Sequence, residues 1–329
     1  MTPDRRAARD RLLADCGFDG AQIDTLAADA SFRSYDRAHM ADGRTLVVMN
    51  APPDKEDVRP FARIAGLLEA WDFSAPRILG ADEAAGFLVL EDLGDDLFSR
   101  LIERGHDAGE LYAAAVDLLV ELAGHTPPAD LPAYDLDMLV AETDLLIDWR
   151  YPEVAGHPLD DAARADWHTA WRSVLAEVGD AAGTLVLRDY HVDNLIWLPS
   201  RAGLARVGLL DFQDAVRGHP AYDVASLLSD VRRDVPPALE AAMLDRYIAA
   251  SGVDGEAFRR AYTLLAAQRN AKIVGIFTRL WRRDGKARYL DWLPRTWALL
   301  RRDLADPALE PVAQWFDNHI PQDPAETSR

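Results

Sequence analysis

An aspartate, an asparagine and a second aspartate stand at a spacing that can do chemistry. The apolar run Leu185-Val186-Leu187 leads into Arg188-Asp189, and Asn194 follows Asp189 by five residues. A second run, Val207 to Leu210, ends at Asp211-Phe212-Gln213. Each run reads as a short strand, so each delivers a carboxylate at a strand end. Aspartate is common in such turns for conformational reasons alone. Two of them with an amide between form a set that transfer of a phosphoryl group from a magnesium nucleotide needs. Asp189 would accept the proton of the attacking hydroxyl. Asp211 and Asn194 would hold the metal on the phosphates.

The wider stretch reads Arg188-Asp189-Tyr190-His191-Val192-Asp193-Asn194, then Asp211-Phe212, then Gly218-His219-Pro220-Ala221-Tyr222-Asp223-Val224-Ala225. It resembles the aminoglycoside phosphotransferase/choline kinase branch of the protein-kinase-like fold, whose signature runs His-Gly-Asp-x-His-x-x-Asn, Asp-Phe/Trp and Gly-x-Pro-x-x-Asp-Leu-Ala. Within that branch it is most similar to bacterial anomeric sugar kinases acting on N-acetylmuramate and N-acetylglucosamine. Ser31-Phe32-Arg33-Ser34-Tyr35, Val47 to Pro53, Gly86 to Gly94 and Gln268 to Leu293 carry that closer likeness.

The resemblance implies an α+β, bilobal fold: a small β-rich N-lobe over residues 1–91, a hinge at 92–96 and a larger, mostly helical C-lobe over 97–329. It implies ATP and Mg2+ as cofactors, a small-molecule sugar acceptor, and a sugar 1-phosphate product that serves peptidoglycan recycling. Two other readings stay open: a phosphotransferase for another hydroxyl acceptor, such as an aminoglycoside or choline-like alcohol, and a nucleotide-binding pseudokinase.

Composition sets outer bounds. The 329 residues, 49% hydrophobic and 28% charged, suit a globular chain of two lobes or two domains. A formal net charge of −19 argues against nucleic acid and anionic membranes as partners. The single cysteine, Cys16, excludes an intramolecular disulfide or a cysteine-based zinc cluster. Met1 to Leu13 is studded with Arg and Asp, unlike a signal peptide, and no apolar run is long enough to span a bilayer. The expectation is a cytoplasmic enzyme of open oligomeric state.

The elements must then position the chemistry. A helix is expected over Ala7 to Cys16, then a hairpin from Ala30–Ala38 and Thr45–Met49 around the turn Asp42-Gly43. The loop near Asp29 to Tyr35 should cover the nucleotide phosphates. It lacks the Gly-x-Gly-x-x-Gly pattern and offers Ser31, Arg33 and Ser34 instead. In the kinase pattern the hairpin carries a lysine paired to a helix glutamate. Here Met49 and Ile64 fall at those positions, so both members of the ion pair are replaced by apolar residues. Losing both is cheaper than burying one charge alone. Arg33, Arg44 and Lys55 are the candidates to supply the missing charge. Strands at Ile78–Ala81 and Gly86–Glu91 lead to Glu91, Asp92 and Leu93, where the resemblance implies main-chain contact with adenine.

Helical patterns follow: Asp96–Arg104, Ala108–Ala123, Leu136–Trp149, Ala162–Glu177, Ala221–Ser229, Pro236–Ala250, Glu256–Arg282 and Tyr289–Arg301. The resemblance assigns Asp189 as general base; Arg188, which stands where the branch has glycine and resembles the Arg-Asp pair of protein kinases, is the second catalytic candidate. His191 is expected to be structural, and Asp223 to brace the catalytic loop. Glu142, Trp149, Tyr151 and Arg279 are the candidates for acceptor contact. The cations of the stretch Arg269 to Arg283 favour an uncharged or anionic acceptor over a polycation.

Overall fold

In a computed structural model, which describes residues 1–28, 32–179 and 183–320, Thr2 opens the first helix. Its hydroxyl accepts from the Arg5 N–H, and Pro3 takes the first turn of α1 (Pro3–Asp15), where a missing N–H costs nothing. Five antiparallel strands follow: β1 (Gln22–Ala28), β2 (Ser34–His39), β3 (Thr45–Asn50), β4 (Ile78–Asp82) and β5 (Phe87–Glu91), ordered β1-β2-β3-β5-β4. Alternation sorts their side chains. Ala38, Leu46, Val48, Phe87 and Val89 pack with Leu12 and Leu13 of α1. Tyr35, Val47 and Leu90 take the other face and line a cavity. Between β3 and β4, α2 (Arg59–Ala70) buries Phe61, Ile64, Ala65 and Leu68. After β5 comes the short α3 (Phe98–Glu103).

The larger, helical part contains α4 (Ala108–Ala123), α5 (Leu136–Leu145), α6 (Tyr151–Ala155), α7 (Asp161–Gly179), α8 (Ala221–Leu228), α9 (Pro237–Ser251), α10 (Gly255–Asp284), α11 (Leu293–Leu304) and α12 (Glu310–His319). Four three-residue strands interrupt it: β6 (Thr184–Val186), β7 (Leu195–Trp197), β8 (Val207–Leu209) and β9 (Val216–Gly218). β6 pairs with β9 and β7 with β8, so the strands leading to Asp189 and Asp211 belong to separate ribbons.

Two compact units result, one from residues 1–108 and 192–214, the other from 109–191 and 215 onward. Residues 97–108 and 192–214, expected with the helical lobe, thus cluster with the sheet. Main-chain bonds explain it: Leu209 N–H donates to Ser74 O (2.9 Å) and Trp197 N–H to Asp96 O (2.8 Å). Among the described residues no helix is long and apolar enough to cross a membrane.

One departure from the helical pattern matters for the site. Leu136 to Trp149 reads as a single helix, yet the chain leaves α5 at Leu145 and makes one wide π turn, Leu146–Arg150. The Tyr151 N–H closes that turn on Leu146 O. Pro152 has no N–H with which to carry helical bonding onward, and α6 restarts with it in the first turn.

Gly275 of α10 sits directly against this junction. A Cβ there would lie 2.1 Å from the Leu145 carbonyl carbon and 2.5 Å from Leu146 N. Backbone cannot yield as a side-chain tip can, so Gly275→Ala must push the helices apart. Its expected cost is about 1–3 kcal/mol, read as a lower urea midpoint with unchanged slope.

Candidate active site

The cavity on the open face of the sheet has a volume of about 340 Å³. Leu26, Tyr35, Val47, Phe61, Leu90 and Ile196 give it apolar walls, Glu91 to Gly94 form one edge, and Asn194 and Asp211 also line it. Glu91 is anchored as β5 ends: its N–H donates to Arg77 O (2.8 Å), and its carboxylate holds Arg201 (2.7 Å) and Arg77 (3.1 Å). The Gly94 N–H is taken by Asp92 Oδ1 at 3.0 Å. The Leu93 N–H bonds to no other described residue. Apolar walls beside a main-chain donor suit a flat heterocycle.

Sequence reasoning missed Arg37. Its guanidinium, on the cavity-side face of β2, donates to Asp92 Oδ1 (3.0 Å) and Asp95 Oδ2 (2.8 Å). Two carboxylates on one guanidinium fix the chain just after β5. The alternation of β2 already marks Arg37 as sharing a face with Tyr35, which was the available signal.

Asp211 adopts φ +58, a conformation side chains resist, and its neighbours explain how it is held there. Gln213 Nε2 donates to Oδ1 at 2.8 Å, Arg33 Nη2 lies 3.8 Å from Oδ1, and Asn194 Nδ2 lies 3.5 Å from Oδ2. Phe212 is buried and stacks on Phe61 of α2, ring centroids 4.8 Å apart. The Leu210 N–H donates to Asn194 O at 3.0 Å, which ties the two loops together. An amide's O and N exchange by a half-turn, so Asn194 can present oxygen beside the Asp211 carboxylate. Two hard oxygen donors suit Mg2+, which completes its shell with water and phosphate. Among the described residues no group of three or more His, Cys, Asp or Glu could hold a metal.

The remaining candidates from the sheet half fall in different places. Met49 is fully buried, paired with Tyr35 and Leu88, and Ile64 is equally enclosed. Met49, expected to bind the cofactor, is thus enclosed and does not line the cavity. Ser34 turns to the α1 face, where its hydroxyl accepts from Asn50 Nδ2 at 2.9 Å. Arg44 is held by Asp42 in the exposed turn, and Lys55 lies near Asp54. Of the three cations considered, Arg33 is the one at Asp211. Ser31 lies outside the described residues.

In the helical unit, Asp223 of α8 braces the segment before Asp189. Its two oxygens accept from Leu187 N–H (2.6 Å) and Arg188 N–H (2.8 Å). Arg188 stands at φ +71, where a glycine would be free of strain. It is held by Ser226 Oγ donating to its carbonyl (3.2 Å) and by its own guanidinium donating to Glu142. Lys272 of α10 reaches the other Glu142 oxygen at 2.9 Å, and the Tyr134 hydroxyl donates there too. Burial alone would raise the Glu142 carboxyl, but Lys272 and Arg188 outweigh it and hold it below its usual range. Trp149 is part-exposed on the π turn, while Tyr151 is buried and meets His157 edge-on. His191 is buried, and burial, with Arg232 and Arg269 nearby, keeps it neutral.

Burial pushes the Asp223 carboxyl up to about 7, with the charge of Asp189 adding to it and the two N–H donors opposing it. Below that pH a protonated oxygen meets an N–H head-on and one loop bond is lost. Turnover should therefore rise as pH increases through about 7, and Asp223→Asn should flatten that limb at a lower rate. Stability runs the other way. A carboxyl raised above its unfolded value contributes stability that is complete below that value and lost as pH rises through the folded one. Rate profiles and urea melts over the same pH range separate the two effects.

Residues 22–262 match the model of the phosphotransferase enzyme family, and the chain belongs to that family. It is 42% identical to the N-acetylmuramate/N-acetylglucosamine kinase of Caulobacter vibrioides, with 98% of each chain covered. The enzyme of the same name from Pseudomonas aeruginosa is 37% identical over 87% of this chain and 84% of its own. Among solved structures, the GDP complex of an aminoglycoside 2'-phosphotransferase-IIIa variant matches with a TM-score of 0.62 at 16% identity, covering 92% of this chain and 97% of that one. The fold is the kinase-like one, with a small sheet lobe and a larger helical lobe.

Proposed function

We propose that the protein is an ATP-dependent kinase that phosphorylates the anomeric hydroxyl of N-acetylmuramate and N-acetylglucosamine. The observation that carries this reading is 42% identity to a kinase of that name, with 98% of both chains covered. The acid–amide–acid set is intact within that span. The adenine would sit between the apolar walls with the Leu93 N–H on its edge, and Arg33 would face the phosphates. Asn194 and Asp211 would hold Mg2+, which neutralises charge on the phosphates. Asp189 takes the proton of the sugar hydroxyl as its oxygen bonds to the γ-phosphorus. The bond to the β–γ bridging oxygen breaks, and ADP leaves with that electron pair. Asp223 and Arg188 hold the Asp189 segment in place. The proposed setting is the cytoplasm and the recovery of peptidoglycan sugars.

The test is product analysis with ATP, Mg2+ and each sugar. The expected product carries phosphate at the anomeric carbon and has lost reducing-end reactivity. Turnover of aminoglycosides or choline but of neither sugar would overturn the acceptor assignment. Nucleotide binding without turnover of any acceptor would leave a pseudokinase.

A further inference from the structure

Helices α5 and α10 run side by side in matched register. Gln268 Nε2 donates to Leu139 O (2.9 Å), Lys272 pairs with Glu142 (2.9 Å), and Gly275 abuts Leu145. Beyond the π turn, Arg282 pairs with Glu153. Both numbers rise together, so interpolation between the Gly275 and Arg282 contacts sets Arg279 level with Trp149. These two are part-exposed, whereas most of central α10 is buried. Lys272, Ile276 and Arg279, spaced i, i+4, i+7, are the half-buried positions of one stripe on that helix. The stripe begins at the cluster that fixes Arg188, the residue before Asp189.

Arg279 is the cation left over. On α10, Arg259 pairs with Asp245, Arg260 with Glu177, Lys272 with Glu142, Arg282 with Glu153 and Arg283 with Asp284. Arg269 is buried and acts on Asp223 and His191. Among the described residues Arg279 has no ion pair, and its Nε is buried without a hydrogen-bond partner there. The carboxylate that acts on it, Asp284, is already held by Arg283 at 2.7 and 2.9 Å. Burial and Arg283 lower its pKa, the cost of a cation without a counter-ion. In a chain of net charge −19 carboxylates are abundant, yet among the described residues none forms an ion pair with it.

We infer that Arg279 is the specificity-determining residue for an acidic acceptor, pairing with the carboxylate of the lactyl group of N-acetylmuramate while N-acetylglucosamine leaves it unpaired. This rests on the kinase reading above. A planar guanidinium takes a carboxylate through two parallel bonds, which is the recognition such a leftover arginine suits. Arg279 lies seven residues, about 10 Å along the helix, past Lys272. An extended arginine and a lactyl-bearing monosaccharide together bridge such a gap.

The experiment compares kcat/KM for the two sugars, and KM for ATP, in wild type, Arg279→Leu and Arg279→Lys. The leucine variant should lose about 10- to 100-fold for N-acetylmuramate and stay within about threefold for N-acetylglucosamine. Its turnover of the neutral sugar reports that it is folded. Lysine should restore part of the loss, and KM for ATP should not move. Equal losses on both sugars, no loss on either, or a raised KM for ATP overturns the inference with the kinase reading intact. A wild-type enzyme inert toward both sugars overturns the kinase reading and this inference with it.

Discussion

Replacing Asp189 by asparagine should lower kcat by about 10²–10⁴-fold and leave the affinity for nucleotide within about twofold. The side chain keeps its shape and loses the acceptor for the hydroxyl proton. Asp189 belongs to the helical unit, whereas the residues lining the cavity belong to the sheet unit. Binding measured without acceptor should therefore not register the change. Asp211→Asn should behave differently. It removes the carboxylate beside Asn194 and Gln213, so the affinity for the magnesium nucleotide should fall along with the rate. Titration of each variant with nucleotide, with and without Mg2+, separates the two roles. A D189N enzyme that turns over at the wild-type rate would remove the proposed base.

The parts legible in the sequence are those that local pattern determines. β2, β3 and β5 follow from apolar alternation bounded by Asp42-Gly43 and the residues before Gly86. The two strand ends carrying Asp189 and Asp211 are legible because short apolar runs stop at turn residues. Asp223 is legible only through its motif: nothing nearby says that its oxygens will meet main-chain donors 35 and 36 residues away. What escapes is set by long-range register. The pairing of β6 with β9 and β7 with β8 splits one catalytic stretch between two units. The π turn at Leu146–Arg150 looks like plain helix, because its apolar spacing is compatible with either. The role of Gly275 is invisible until Leu145 is placed against it. Arg37 and Arg279 are two arginines among many in the chain; among the described residues one holds two carboxylates and the other none, and composition cannot tell them apart.

Glu142→Ala should be the most destabilising single change near the site, at about 3–5 kcal/mol. The Glu142 side chain is 15% exposed and stands between Arg188 and Lys272, which are 17% and 12% exposed. Truncation leaves two enclosed cations facing each other and strips the Tyr134 hydroxyl of its acceptor. It also frees Arg188 from the contact that compensates its left-handed backbone, so the segment carrying Asp189 loosens and kcat falls with stability. Glu142→Gln keeps the volume and one acceptor oxygen, but turns its NH2 toward either Arg188 or the Lys272 and Tyr134 donors, so it should lose less than alanine and more than nothing. Adding Arg188→Gly to Glu142→Ala removes one stranded charge and relieves the strain at φ +71. The double variant should therefore be more stable than Glu142→Ala alone, a non-additivity that urea melts of the full cycle measure. Strict additivity would mean that the Arg188–Glu142 pair does not hold the catalytic segment.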